Sequence, residues 1–501
     1  MKKLFIGLLV ALSAMGLSAQ TTDTNSVKYL YNTGLKYYYC PREQQDFSKV
    51  LSYWSRAAAA GSIDAAYNLG LIYEEGALVE QNSAESFRWF KRAAELGDMY
   101  AQYTVGAYLN DGYSGSPDWQ EALKWLRLSA AQDYAPAMRL VAMIMEEHAP
   151  KDDFSLKTYQ PIVDLYQAAA NKGDAYAQYR LANIYFEGRG YYSNPVKALG
   201  LYKKSASAGC IDAQYALGIC YYEGIYVPVD QIKGFEYMQM AADAGLPDAQ
   251  AYMARIYYYS SVDHHFDSAY HYNMAAAQAG IPDAVFFLGV HHFYGNGVGR
   301  DLAKAYSYWL QADSLGSTDA TYALGMAYYF GMGVDLDYQK AYEHWRRSAA
   351  LSDCRGTYCV GVQYYLGHGV AQNYDSAYAC FSRSVEFGDY LYAYYMKGVC
   401  NENGQGTKKD VREALACYMA AAEMGHIESM YSLADLYYRS PARYREEEIY
   451  PYLLEAVRLN YQPAVELHKA RFESKGASAG KSQEGRRRSE IKPISPDQLD
   501  K

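Results

Sequence analysis

Small and apolar positions recur along most of this chain with a single beat. Counted from a lead residue as zero, they fall at +4, +8, +9 and +12, as Ala213, Leu217, Gly218 and Tyr221 do behind Gly209. That spacing follows one face of an α-helix. The beat is carried by a phrase that returns as Gly61-Ser-Ile-Asp-Ala-Ala-Tyr-Asn-Leu-Gly70, Gly209-Cys-Ile-Asp-Ala-Gln-Tyr-Ala-Leu-Gly218 and Gly316-Ser-Thr-Asp-Ala-Thr-Tyr-Ala-Leu-Gly325. The lead positions are Gly61, Gly97, Asp133, Gly173, Gly209, Gly245, Gly280, Gly316, Ser352, Gly388, Gly425 and Asn460, spaced 35 to 40 residues apart. Pro247 and Pro282 at +2 suit a first helical turn. A glycine near +15, as at Gly76, Gly188, Gly295 or Gly367, closes this helix A, because glycine readily takes the left-handed cap. A short loop such as 295–301 leads to helix B, marked by alanine four residues before an aromatic: Ala305 and Trp309, Ala341 and Trp345, Ala377 and Phe381. Helix B ends in alanine-rich turns such as 57–60. The +9 glycine is expected to meet those alanines, which would offset the roughly 1 kcal/mol that glycine costs inside a helix.

One such hairpin cannot bury its own apolar stripe, so neighbours must stack. The 501 residues would otherwise suggest about three globular domains. The repeat replaces that expectation with one all-α chain, a right-handed α/α solenoid of about twelve hairpins over 20–472. Residues 1–19 read as a signal peptide and 473–501 as a disordered basic tail. The third unit departs from the pattern, with Pro136 at +3 and a longer linker through Ala149-Pro-Lys-Asp-Asp153, which suggests a kink or a protruding loop.

The phrase Asp-Ala-x-Tyr-x-Leu-Gly, the Tyr at +12 with Gly at +15, and loops such as Gly331-Met-Gly-Val334 and Gly367-His-Gly-Val370 resemble the Sel1-like repeat family, relatives of tetratricopeptide repeats. The resemblance covers nearly all of the chain behind the leader. It implies a tetratricopeptide-like superhelix with helix A on the concave face, and an adaptor role that holds proteins in complexes, often in secretory or envelope compartments.

Composition narrows the chemistry. A formal net charge of −9 argues against binding a phosphate backbone. Behind the N-terminus no apolar run approaches the ~18 residues of a membrane span. Lys2 and Lys3, the apolar Leu4–Leu12 and the small residues before Gln20 have the layout of a secretory leader, so an exported protein is expected, in the periplasm or at the cell surface. Eight cysteines form no C-x-x-C pair; Cys400 and Cys417 could be stapled, or all eight could be small buried thiols. His264-His265 with His271, and His291-His292, could suggest a metal, but adjacent histidines on a helix diverge by about 100°. Ser478 and Lys481 match Ser-x-x-Lys but lie in the tail without partner motifs. No nucleophile, base and orienting group come together, and no cofactor, catalytic residue or metal ligand is expected. The tail over 474–501 holds seven basic and four acidic residues, including Arg486, Arg487 and Arg488.

The remaining anomaly is tyrosine: 57, against 15 Phe and 6 Trp. By the resemblance, offsets +6 and +13 of helix A face the groove, and being seven apart they share a face. The candidate partner-binding residues are Tyr215, Tyr322, Tyr358 and Tyr394 in the +6 row, and Tyr222, Tyr258, Tyr329 and Tyr365 in the +13 row. The +6 rings are common in such repeats and expected mainly to pack between hairpins; the +13 rings are expected to face the groove. Tyrosine offers rigid area and a phenol at little entropy cost. The expected function is a non-enzymatic scaffold binding a protein or extended peptide of the cell envelope. A glycan or peptidoglycan binder using the same rows, or an envelope hydrolase of β-lactamase-like type, are the rival readings.

Overall fold

The computed structural model describes residues 26–41, 45–76, 79–113, 115–190, 192–260, 265–440 and 444–473. The expected leader over 1–19 lies outside them, as does the tail from 474 onward. Glu473, assigned above to that tail, instead ends a π-helical turn, Lys469–Glu473. The described residues hold 25 α-helices and no strand. The α-solenoid expected from the repeat is therefore the fold. The chain divides into two compact units, one through Ala244 and one from Gly245. Each contains six A–B hairpins, and the second adds the short helix Gln462–His468.

Two left-handed residues punctuate most hairpins. The first is the lead residue, which stops helix B: φ is +100° at Gly61 and +91° at Gly316, and Asp133, Ser352 and Asn460 hold +73°, +62° and +58° without being glycine. The second is the +15 glycine, whose N–H returns to the carbonyl at +11, as Gly331 does to Ala327. Helix starts are capped by side chains. Ser62 accepts from the Ala65 N–H (3.2 Å) and Asp174 from the Ala177 N–H (2.8 Å), contacts worth about 1 kcal/mol each.

The lead assigned to Gly388 is off by one. Its φ of 175° is extended backbone, and the B helix before it, Tyr374–Phe387, has 14 residues where its neighbours have 13. The true lead is Asp389, one residue before the cap Tyr390 of the helix Leu391–Asn403.

The partner of the +9 glycine is also different from the expectation. It faces the large mid-helix side chain of helix B in the same hairpin, not the terminal alanines. A Cβ on Gly70 would lie 2.8 Å from the Phe90 ring, and one on Gly361 2.7 Å from Phe381. Gly325 and Gly289 face Trp345 and Trp309 in the same way. Glycine here lets a whole aromatic ring lie flat against a helix backbone. Consecutive helices pack in order along each unit, and helices one further apart touch between A helices such as Met99–Asp111 and Ala135–Glu147, or Pro282–Tyr294 and Thr318–Phe330. The A helices are thus the more tightly spaced layer of each unit. All eight cysteines are free thiols, Cys400 and Cys417 included.

Candidate partner-binding surface

Three of the four +13 tyrosines are buried. Tyr258, Tyr329 and Tyr365 are 9%, 4% and 8% exposed. The hydroxyl of Tyr258 accepts from Asn296 Nδ2 (3.2 Å), that of Tyr329 meets His368 Nδ1 (2.8 Å), and that of Tyr365 donates to Gln405 Oε1 (2.8 Å). Each partner is the residue directly after the +15 glycine of the following hairpin. The next loop folds over the ring, and the phenol clasps it. Tyr222 of the same row is half-buried. Removing a single clasp tests this role: Tyr329→Phe should lower stability by about 1 kcal/mol, measured by urea unfolding, with helicity unchanged.

The +6 row is sealed at two places in the second unit, whose Phe286 and Tyr431 are half-buried like the rings of the first. In the second, Tyr322 and Tyr358 are buried. Arg355 lies over the Tyr322 ring, 4.8 Å from its centroid, and bonds Asp319 and Asp353. Tyr358 is enclosed by Phe381 (5.7 Å), Tyr390 (5.3 Å) and Tyr392 (6.2 Å), and burial pushes its phenol well up. The corrected register places Tyr395 at +6 and moves Tyr394 to +5. Tyr395 lies against Tyr418 and His426, and burial pushes it up to about 12; Tyr394 is half-buried and donates to Asp389. In the first unit the row stays partly open: Tyr67, Tyr103, Tyr179 and Tyr215 are all half-buried.

A second row in the first unit was not singled out from the sequence. At +14, the last residue of helix A, stand Glu75, Asp111, Glu147, Glu187 and Glu223, all exposed. None of these five helices has a basic residue in its last turn. A carboxylate at a helix C-terminus opposes the helix dipole, at about 0.3–1 kcal/mol each. Glu187 is paired with Arg189. In the second unit the same position holds Tyr259, Tyr294, Phe330, Leu366, Asn403 and Arg439. The pattern is visible once the repeats are aligned, but the excess of tyrosine drew attention elsewhere. Among the described residues no three His, Cys, Asp or Glu side chains converge as a metal site.

A family model described as Sel1 repeat matches residues 27–62, 63–98, 100–134, 175–210, 211–246, 247–279, 282–317, 318–353, 358–389 and 391–426. No curated protein matches the chain. Among solved structures, a protective antigen of uropathogenic Escherichia coli displaying an SLR fold is similar at 23% identity and a TM-score of 0.67, over 93% of this chain and 97% of that one. A Sel1 repeat protein from Oxalobacter formigenes is 26% identical over 68% of this chain and 93% of its own, with a TM-score of 0.48. At these identities the first likeness is one of fold. The ten matched segments, by contrast, coincide with the hairpins built above from their caps and glycines, and the chain belongs to the Sel1 repeat family.

Proposed function

We propose that this chain is an exported, non-catalytic scaffold whose A-helix face in the first unit binds an extended basic segment of a partner protein. The observation that carries this reading is the carboxylate row at +14. Five successive helices end in an acid where the dipole disfavours one, a local cost that a partner's cations would offset. The half-open +6 tyrosines on four of these helices supply ring faces, to which Lys and Arg side chains are attracted. Export is supported by the leader layout of residues 1–19.

The test is capture of extended Lys/Arg-rich peptides by the full chain, measured by fluorescence anisotropy at two salt concentrations. Asp111→Lys with Glu147→Lys should weaken binding by ~10-fold or more, since complementary charge is replaced by repulsion. The same changes favour the helix dipole by about 0.3–1 kcal/mol each, so melting should not fall. Binding that survives both substitutions would remove the acidic row from the site. Capture of glycans that is indifferent to the charge reversal would favour the carbohydrate reading instead.

A further inference from the structure

The two loops that leave helix A after Gly188 and Gly224 build an unusual edge on the first unit. The second reads Ile225-Tyr226-Val227-Pro228-Val229, five apolar residues in a row. Two residues past the cap, the loops of the second unit use glycine: Gly297, Gly333, Gly369 and Gly406, with φ between +70° and +73°. A Cβ there would meet the backbone of the first residue of the preceding B helix: Phe266, Leu302, Tyr338 and Tyr374 respectively. In this loop the position is Tyr226, held at φ +57°. An aromatic L-residue rarely takes that conformation. Burial does not account for it: the side chain is 61% exposed, with its ring edge on Phe186 at 5.5 Å.

Exposed apolar side chains surround this point. Val229 is 61% exposed and Ile232 78%. Ile232 is the second residue of the helix Gln231–Asp243, and Val196, 83% exposed, has the same place in the preceding B helix Pro195–Ser207. Tyr192 beside it is 98% exposed. By the equivalence with the glycine loops, Tyr226 lies between the starts of these two B helices, so the apolar tips form one edge.

Ammonium groups line the same edge in register. Lys197 lies 3.9 Å over the Tyr185 ring and donates to its hydroxyl (2.6 Å). One repeat on, Lys233 lies 4.3 Å over the Tyr221 ring, and Lys203 of the helix Pro195–Ser207 is 5.9 Å from the same ring. Burial pulls the Tyr221 phenol upward, yet hydrogen bonds from Lys233 and Lys203 hold it below the usual tyrosine value. Three carboxylates stand near: Asp230 caps the Lys233 N–H (3.0 Å), Glu187 pairs with Arg189, and Glu223 is exposed at the end of its helix.

We infer that this edge is a membrane-contact surface, its apolar tips entering the outer margin of an anionic bilayer while Lys197, Lys203 and Lys233 meet headgroup phosphates. Side chains this exposed project singly and form no pocket for a protein's anchor, which suits a fluid acyl layer. Lysine beside aromatic and aliphatic tips is the composition an interfacial segment requires. No described helix is long and apolar enough to cross a membrane, so the contact is peripheral.

The test is sedimentation of the full chain with vesicles of phosphatidylcholine and phosphatidylglycerol in equal parts, and with phosphatidylcholine alone. Binding to the mixed vesicles, weaker on the neutral ones, is the expected result. Tyr226→Gly with Val196→Ser and Ile232→Ser should lower partitioning by ~10-fold or more. Helicity should persist and melting should not fall, because glycine is the residue that sister loops use. Lys203→Gln with Lys233→Gln should abolish only the preference for the anionic lipid. The proposal is overturned if the wild type sediments with neither vesicle, or if the apolar variant binds like the wild type. It is equally overturned if the apolar variant abolishes self-association or capture of a protein in a chain that binds no lipid.

Discussion

Trp345→Ala should cost about 3–5 kcal/mol, the largest loss expected from a single side chain in the second unit. The ring is 2% exposed, its Nε1 donates to the Tyr322 carbonyl (3.1 Å), and it lies 5.2 Å from the Tyr329 ring. Its flat face covers Gly325. Removing it leaves a cavity at the centre of a hairpin, and the same cavity undermines the Tyr329 clasp on the next loop. The reciprocal change separates packing from propensity. Gly325→Ala places alanine, the better helix former by about 1 kcal/mol, in a helix interior. It should nevertheless destabilise by about 1–3 kcal/mol, because the added methyl has no room beside the indole. Urea unfolding followed by circular dichroism measures both. A stabilised Gly325→Ala variant would show that the glycine is not there for the ring. Two hairpins vary the pair: helices Pro247–Tyr259 and Phe266–Gln278 have Ala254 and Asn273 at these positions, and helices Ala175–Glu187 and Pro195–Ser207 have Ala182 and Tyr202. Asn273 is buried and donates to His291 Nε2 (3.3 Å), whose Nδ1–H reaches the Asn296 carbonyl (2.7 Å).

The second large effect is expected at Glu146→Gln, at about 3 kcal/mol. This carboxylate, only 6% exposed, receives Arg180 (2.8 Å), Arg189 (3.4 Å) and the Tyr166 hydroxyl (2.9 Å). It ties helix Ala135–Glu147 to the B helix that follows and to the next hairpin. That B helix, Leu156–Asn171, is the irregular one: it has 16 residues and holds Pro161 inside. Neutralising the acid leaves the Arg180 guanidinium without its counter-charge, while Arg189 keeps Glu187. Glu147, next in sequence but exposed, is the control, since its replacement by Lys should not lower melting. Equal losses at 146 and 147 would contradict this assignment.

The hairpins, their number and their caps were legible because a repeat states each local rule a dozen times. Glycine at the lead and at +15 acts on the backbone within a few residues, and in most repeats it takes the left-handed turn where the pattern placed it. The register at Gly388 was misread because a glycine stood at the expected spacing, while the helix before it had gained one residue. That single slip assigned Tyr394 to a row that belongs to Tyr395. The carboxylate row needed only aligned sequences and a sense of the helix dipole.

Sequence alone determined that this chain is a stack of helical hairpins, because helix periodicity and turn chemistry are short-range and survive without knowledge of neighbours. Tertiary structure decided what each ring does. Tyr258, Tyr329 and Tyr365 are sealed because the loop of the next hairpin, 38 to 40 residues later, brings an Asn, His or Gln to each hydroxyl. The same holds for the +9 glycine, whose purpose lies in a large side chain on the opposite helix. Burial is a property of pairs of distant segments, and a periodic pattern gives the face of a helix without saying what covers it.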